Sequence, residues 1–410
     1  MNYKIVSPQH INYEVSLPAS KSISNRALII NALSNCKCNI KNIAKCDDTD
    51  AMINALASSD SYINIGAAGT AMRFLTAYFA IKCNSSVTID GSERMRMRPI
   101  KILVDALRLC GANITYLKNE GFPPILVKGT NLKTAKLELP GNVSSQYISA
   151  LLMIAPIIEG GLTITLSGDI ISLPYIKMTL SIMQEFGVNA TMSQNVITIP
   201  QGNYASSSFT VESDWSAASY WYQLVALHPF AKITLKGLHL NSVQGDSNIR
   251  TLFILFGVKT DITTDGMVLS SMNRTEHIKY IGIDLRDKPD IAQTIVVTAC
   301  MLNIPFDISG LSTLKIKETD RIEALRSQLL KLGYCITARN NDTLSWDDTR
   351  TEPDINPSIA TFDDHRMAMA FAPAAIIHKD IIIENIEVVS KSYPNYWEHL
   401  NGAGFNLIKQ

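Results

Sequence analysis

Five times along the chain an amphipathic helical stretch ends in glycine and runs straight into a β-rich segment. The instances are LVDALRLCG-ANITY, LSIMQEFG-VNATM, LFILFG-VKTDI, RSQLLKLG-YCITA and, more weakly, WEHLNGAG-FNLI. Their glycines are Gly111, Gly187, Gly257, Gly333 and Gly404, at steps of 76, 70, 76 and 71 residues. A helix C-terminus often needs one residue in the left-handed conformation, which glycine adopts without steric penalty. One such junction is ordinary, but four successive steps of nearly equal length are a repeat. A period of about 73 residues divides the 410-residue chain into between five and six units. An earlier copy starts at Met52-Ile53-Asn54-Ala55-Leu56, its strand cut short before Gly66. Each unit carries a second helix ahead of its glycine helix, as at 147–155 and 291–301. The expected fold class is therefore α/β, in repeated units of two helices and three or four short strands. Residues 340–358 are expected to form a strand and a loop, and no stretch has the composition of a flexible linker.

Composition narrows the function. The chain is long for one domain, and two lobes are expected. Thirty-seven basic residues balance thirty-seven acidic ones, so formal net charge is zero. Nucleic-acid binding through bulk electrostatics is disfavoured, and any anion recognition must be local. The seven cysteines, at 36, 38, 46, 83, 110, 300 and 335, form no C-x-x-C pair and no cluster at zinc spacing. Reduced thiols in the cytoplasm are expected, with no metal at Cys36 and Cys38. The N-terminal residues lack the apolar core of a signal peptide. The richest apolar run, 147–158, is too short to span a bilayer and contains Ser149 and Pro156.

Eight short polar phrases interrupt the apolar helices. In Pro18-Ala19-Ser20-Lys21-Ser22-Ile23-Ser24-Asn25-Arg26, a serine-rich lead-in starts a helix with Lys21 in its first turn and Ser22 and Arg26 on one face. Free N–H groups and the positive end of the helix dipole suit such a start to an anion, though an ordinary capped helix reads the same way. Gly66-Ala67-Ala68-Gly69-Thr70-Ala71-Met72-Arg73 is a glycine turn into a helix, where Gly69 leaves room for close approach to the main chain. It lacks the Gly-Lys-Ser/Thr of nucleotide-hydrolase phosphate loops. Arg94-Met95-Arg96-Met97-Arg98-Pro99 would point three guanidinium groups one way if the backbone were extended, with a solvated basic turn as the alternative. Ser144-Ser145-Gln146-Tyr147 precedes an apolar helix and suits either phosphate binding or plain N-capping. Asp290, after Pro289, marks another helix start, as a cap or a base. Lys317-Glu318-Thr319-Asp320-Arg321 puts Lys317 and Arg321 on one face and a carboxylate beside cations, a setting for proton transfer. Asp364-His365-Arg366 leads a wholly apolar helix, where His365 and Arg366 would be costly to bury without partners. Finally, Lys391 ends an expected apolar strand.

In order and wording these phrases resemble the 5-enolpyruvylshikimate-3-phosphate (EPSP) synthases, over about Leu17 to Leu400. PASKSISNRAL, AGTAMR, RMRMRP, SSQYISALLM, KETDRI and DHRMAMA carry the resemblance. It implies the two-lobed enolpyruvyl-transferase fold, an inside-out α/β barrel-like arrangement of six α/β units, three per lobe, with the active site in the cleft between lobes. Residues 1–17 and 242–410 would form one lobe and 18–241 the inserted other. It also implies transfer of the enolpyruvyl group of phosphoenolpyruvate to the 5-hydroxyl of shikimate 3-phosphate, without metal or organic cofactor. A cytoplasmic monomer with no nucleic-acid or membrane partner is expected.

By the same resemblance, Lys21, Ser22, Arg26, Ser144, Ser145, Gln146, Ser172, Tyr175 and Lys317 would hold shikimate 3-phosphate. Gly69, Arg98 and Lys391 would bind the phosphate of phosphoenolpyruvate, with Lys21 and Gln146 also reaching that substrate, and Arg321 and Arg366 its carboxylate. Asp290 would take the hydroxyl proton and also touch shikimate 3-phosphate, and Glu318, positioned by His365, would exchange a proton at the methylene carbon. The chain departs from the family in a shortened hairpin before Gly66 and at three residues. Ala67 stands where asparagine is usual, Phe74 where proline follows the arginine, and Thr313 replaces an asparagine of some members. The related transferase acting on a UDP-linked amino sugar generally has a cysteine just before Arg-Pro, and here 84–109 contains none. Neutral charge and the KETDR phrase argue against RNA 3′-phosphate cyclases, which share a related repeat. The carboxylates and cations argue against a non-catalytic sensor.

Overall fold

The computed structural model describes residues 1–34, 38–272 and 278–410. Cys36, and with it the Cys36 and Cys38 pair, lies outside them. Two compact units emerge, one of Met1–Pro18 with Glu212–Gln410, the other of Ala19–Val211. The second boundary therefore falls thirty residues before the expected 241/242. Residues 212–241 belong with the chain termini because Ala231–Lys236 pairs in parallel along the whole of Ile11–Ser16. The helix Trp215–Leu227 is likewise buried almost all round in that unit's core.

Five four-stranded sheets repeat one topology. Two parallel strands are followed across the sheet by an antiparallel third, and the fourth pairs antiparallel with the third. In the 19–211 unit these are Tyr62–Asn64, Ser86–Asp90, Ile125–Lys128 and Asn113–Tyr116, then Lys136–Pro140, Leu162–Ser167, Val196–Ile199 and Thr191–Ser193. A two-stranded parallel sheet, Asn39–Lys41 with Ser208–Thr210, completes it. The other unit has Ile281–Asp284, Phe306–Ser309, Thr343–Trp346 and Thr337–Arg339. Its second sheet is Ile11–Ser16, Ala231–Lys236, Gly266–Ser271 and Val258–Thr263. The whole 19–211 unit is thus inserted into the crossover between the first two strands of that sheet. In the third, Ser358–Ile359, Ile382–Ile383 and Asn406–Lys409 take Tyr3–Val6 from the chain start as their third strand.

The five repeat glycines all have positive φ, between 77° and 101°. At each, the glycine N–H donates to the carbonyl three residues back and the next residue's N–H to the carbonyl five back, as in Gly333 to Leu330 and Tyr334 to Leu329. This double bond satisfies carbonyls that a helix end leaves open. The residue pairs it joins are buried apolar ones: Leu107 with Ala112, Met183 with Val188, Phe253 with Val258, Leu329 with Tyr334 and Leu400 with Phe405. The repeat is therefore a repeated cap that turns each helix into the strand after it. Only the third instance departs, since helix before Gly257 is confined to Ile249–Leu252.

Each unit is centred on helices that are buried along most of their length. Around the chain termini these are Trp215–Leu227, Ala292–Met301 and His365–Phe371, all packed on one another. In the 19–211 unit Lys21–Leu33, Gly69–Ile81 and Ser145–Ile154 do the same. Five of the eight polar phrases, those around Lys21, Gly69, Ser145, Asp290 and His365, lead into these helices. Among the described residues no helix is long and apolar enough to cross a membrane.

Candidate functional site

In the unit holding the termini, one guanidinium organises the polar phrases. Arg321 opens the helix Arg321–Lys331 and is only 1% exposed. Its Nε donates to Asp364 Oδ2 at 2.6 Å, and its Nη2 to Glu318 Oε2 at 2.9 Å and to Asp364 Oδ1 at 3.3 Å. Burial works against its charge, but the carboxylates of Asp364 and Glu318 outweigh it and raise its pKa. Asp364 is fully buried and also caps the helix His365–Phe371, accepting from Arg366 N at 2.9 Å. Phe362 and Asp363, just before it, both take the left-handed conformation, which L-residues enter at a cost.

Asp290 is the second hub. It lies in the turn Pro289–Ile291, and its carboxylate faces cations: Arg366 Nη2 at 3.1 Å, Arg321 Nη1 at 3.6 Å and Lys317 Nζ at 3.7 Å. Arg366 is fixed a second way, donating from Nη1 to the Asp290 carbonyl at 2.7 Å. Lys317 precedes its helix in extended conformation, so it meets Arg321 through Asp290 and not along a helix face. Glu318 bridges Arg321 and Lys391, whose Nζ is 3.2 Å from Oε1. Lys391 is buried at the end of a 3-10 helix, Ile386–Lys391, not of a strand. His365 is buried with Nδ1 3.7 Å from Asp364 Oδ1. Thr313 sits in the turn Ser312–Ile316. A further carboxyl, Asp246, accepts from Ser216 Oγ at 2.5 Å, and burial first, then the charge of Asp290, push its pKa up to about 7.

In the 19–211 unit the cations stand at or against the starts of the core helices. Ser20 caps Lys21–Leu33, and Lys21 Nζ is 2.9 Å from Asp48 Oδ2, both largely buried. Ser22 supplies its carbonyl to Arg26 Nη1 at 2.9 Å. Arg26 Nε donates to Thr179 Oγ1 at 2.7 Å and Nη2 to Ser149 Oγ at 3.0 Å. Its pKa is lowered to about 10, chiefly by burial. Tyr175 contributes its carbonyl and its ring to the same guanidinium. Ser172 precedes Leu173–Glu185 with φ of 56°, a left-handed serine, and is buried.

The helix Gly69–Ile81 begins against Arg98. A Cβ on Gly69 would stand 2.5 Å from Arg98 Nη1, so glycine leaves the space that this guanidinium fills. Arg73 donates to the carbonyls of Gly69 at 3.1 Å and Pro99 at 3.0 Å. Gln146 Nε2 reaches Thr70 Oγ1 at 3.1 Å, joining two helix starts. Ser144 accepts from Gln146 N at 3.4 Å, the plain capping alternative, and Ser145 is buried beside it. The arginine triplet is not extended. Glu93–Arg96 is a helical turn, so period two fails: Arg96 turns back to Asp90 at 2.6 Å while Arg98 goes to Gly69. Ala67 is exposed in the turn before the helix.

Asp48, Ser149, Thr179 and Asp246 escape sequence inspection, because each meets its partner across the fold. Asp364 carried a local signal, an aspartate just before an apolar helix, which marked the cap and not the buried ion pair.

The family model described as EPSP synthase (3-phosphoshikimate 1-carboxyvinyltransferase) matches residues 5–60 and 56–400. A 3-phosphoshikimate 1-carboxyvinyltransferase of Bacteroides fragilis (strain YCH46) is 52% identical over 409 residues, 99% of each chain. One from Vibrio campbellii is 34% identical over 420 aligned residues, covering 95% of this chain and 96% of the other. The solved EPSP synthase of Acinetobacter baumannii shares the fold with a TM-score of 0.79 at 20% identity, over 100% of both chains. The chain belongs to the EPSP synthase family.

Proposed function

We propose that this protein transfers the enolpyruvyl group of phosphoenolpyruvate to the 5-hydroxyl of shikimate 3-phosphate, releasing phosphate. Family membership supports the reaction. The observation that carries it is the Asp290 and Glu318 pair, two carboxylates only 17% and 13% exposed and each set against cations. A carboxylate fixed in this way is placed to accept or return a proton.

In the first step the 5-hydroxyl proton passes to Asp290, the 5-oxygen bonds to the central carbon of phosphoenolpyruvate, and the methylene carbon takes a proton from Glu318. In the second, Glu318 removes a proton from the resulting methyl group, the carbon–oxygen bond to phosphate breaks, and phosphate leaves with the proton held by Asp290. His365 positions Glu318. Arg321 and Arg366 bind the carboxylate of phosphoenolpyruvate, a group that guanidinium donors recognise well. Gly69, Arg98 and Lys391 serve its phosphate, with Lys21 and Gln146. Ser22, Arg26, Ser144, Ser145, Ser172, Tyr175 and Lys317 join Lys21, Gln146 and Asp290 on shikimate 3-phosphate. The protein works as a cytoplasmic monomer.

The test is phosphate release from phosphoenolpyruvate by purified protein with no metal added. Release that requires shikimate 3-phosphate is expected; release only with a UDP-linked amino sugar, or none, overturns the proposal.

A further inference from the structure

Arg26 is a buried cation held by neutral groups. Four of its N–H directions end on Thr179 Oγ1, Ser149 Oγ, the Ser22 carbonyl and, at 3.5 Å, the Tyr175 carbonyl. Thr179 Oγ1 in turn donates to Ser149 Oγ at 2.8 Å. Among the described residues no carboxylate lies within ion-pair distance of it. Its remaining neighbours are aromatic faces: the guanidinium carbon lies 5.4 Å from the centroid of Phe74 and 6.0 Å from that of Tyr175.

Phe74 is fully buried on the helix Gly69–Ile81, whose first residue makes room for Arg98 and whose Arg73 ties Gly69 to Pro99. A phenylalanine here adds what proline could not, a π face with negative potential on which a desolvated guanidinium is stabilised. The ring offers no hydrogen bond and no counter-charge, so it stabilises the buried Arg26 guanidinium without neutralising it.

We propose that Phe74 is a positioning residue for shikimate 3-phosphate, its ring face fixing the Arg26 guanidinium that the substrate's anionic group meets. The inference rests on the placement of Arg26 on that substrate. It makes position 74 a determinant of acceptor affinity and not of the chemical step.

The test replaces Phe74 with mono-, di- and trifluorophenylalanine, which weaken the ring face stepwise at nearly constant shape, and measures kcat and both KM values beside Arg26→Lys. KM for shikimate 3-phosphate is expected to rise in order along the series, by about tenfold at the trifluoro ring. The expected kcat and KM for phosphoenolpyruvate stay within about twofold of the parent, a split that general loosening of the core does not produce. If Arg26→Lys raises KM for shikimate 3-phosphate while the fluorinated series stays flat, or lowers only kcat or thermal stability, the role of Phe74 is overturned. If Arg26→Lys itself leaves that KM unchanged, the placement of Arg26 on this substrate fails.

Discussion

Glu318 has Lys391 on one carboxylate oxygen and Arg321 on the other, so charge sets its position. Glu318→Gln keeps the shape and one acceptor oxygen, but turns an amide N–H2 toward the other cation and cannot exchange a proton with the methylene carbon. It should lower kcat by roughly 10²- to 10⁴-fold, with the dissociation constant for shikimate 3-phosphate within about threefold of the parent. Single-turnover kinetics and equilibrium titration separate the two, and unchanged turnover would remove Glu318 from its role. Asp246 is a second residue with a measurable signature. Its carboxyl, pushed up to about 7, keeps its proton in the native state to higher pH than in the unfolded chain. Native stability therefore declines as pH rises from about 4 through about 7 and levels off above. Asp246→Asn keeps an oxygen for Ser216 but removes the titration. It should lose this part of the decline and gain most over the parent above pH 7 in urea unfolding; equal slopes would contradict the assignment. These residues differ in how far they were legible in sequence. Glu318 stood in a local phrase with its cation three residues away. Asp48 meets Lys21 across 27 residues and Thr179 meets Arg26 across 153, separations that no local pattern encodes.

At the scale of elements, the helix-glycine-strand junction was the most legible feature because it is local: one residue in the left-handed conformation and two bonds within six residues. Gly111→Ala has open space for its Cβ and should cost only the left-handed strain, about 1–2 kcal/mol. Gly333→Ala carries the same strain, and its Cβ would also lie 2.8 Å from the Thr351 carbonyl. It should cost roughly 1 kcal/mol or more beyond Gly111→Ala. Denaturant unfolding of both variants checks the order, and equal losses would show that the Thr351 contact adds nothing to the cap strain. The misjudged elements share a cause. Alternating arginines at 94, 96 and 98 imitate a strand, yet Ser92 caps a helical turn by accepting from Met95 N at 3.2 Å. The segment ending in Lys391 is apolar enough for a strand, yet Asn385 enters it in the left-handed conformation and it closes as a 3-10 helix.

For the whole molecule, zero net charge proved compatible with anion chemistry because the cations are concentrated locally, at helix starts and against buried carboxylates. The two-unit division was partly legible. The period announced repeats, but the return of the chain at Glu212 depends on a parallel pairing between strands more than two hundred residues apart, which only the fold reveals. The family shares this fold over its full length, and the proposed chemistry makes one demand that a phosphoryl-transferring enzyme would not meet. In enolpyruvyl transfer the bond that breaks in phosphoenolpyruvate joins carbon to the bridging oxygen. The most direct measurement supplies phosphoenolpyruvate with ¹⁸O at that bridge, together with shikimate 3-phosphate, and reads both products by mass spectrometry. The label is expected to leave entirely in inorganic phosphate, with an unlabelled enolpyruvyl group on the acceptor; label retained in pyruvate, with the acceptor unchanged or phosphorylated, would contradict enolpyruvyl transfer.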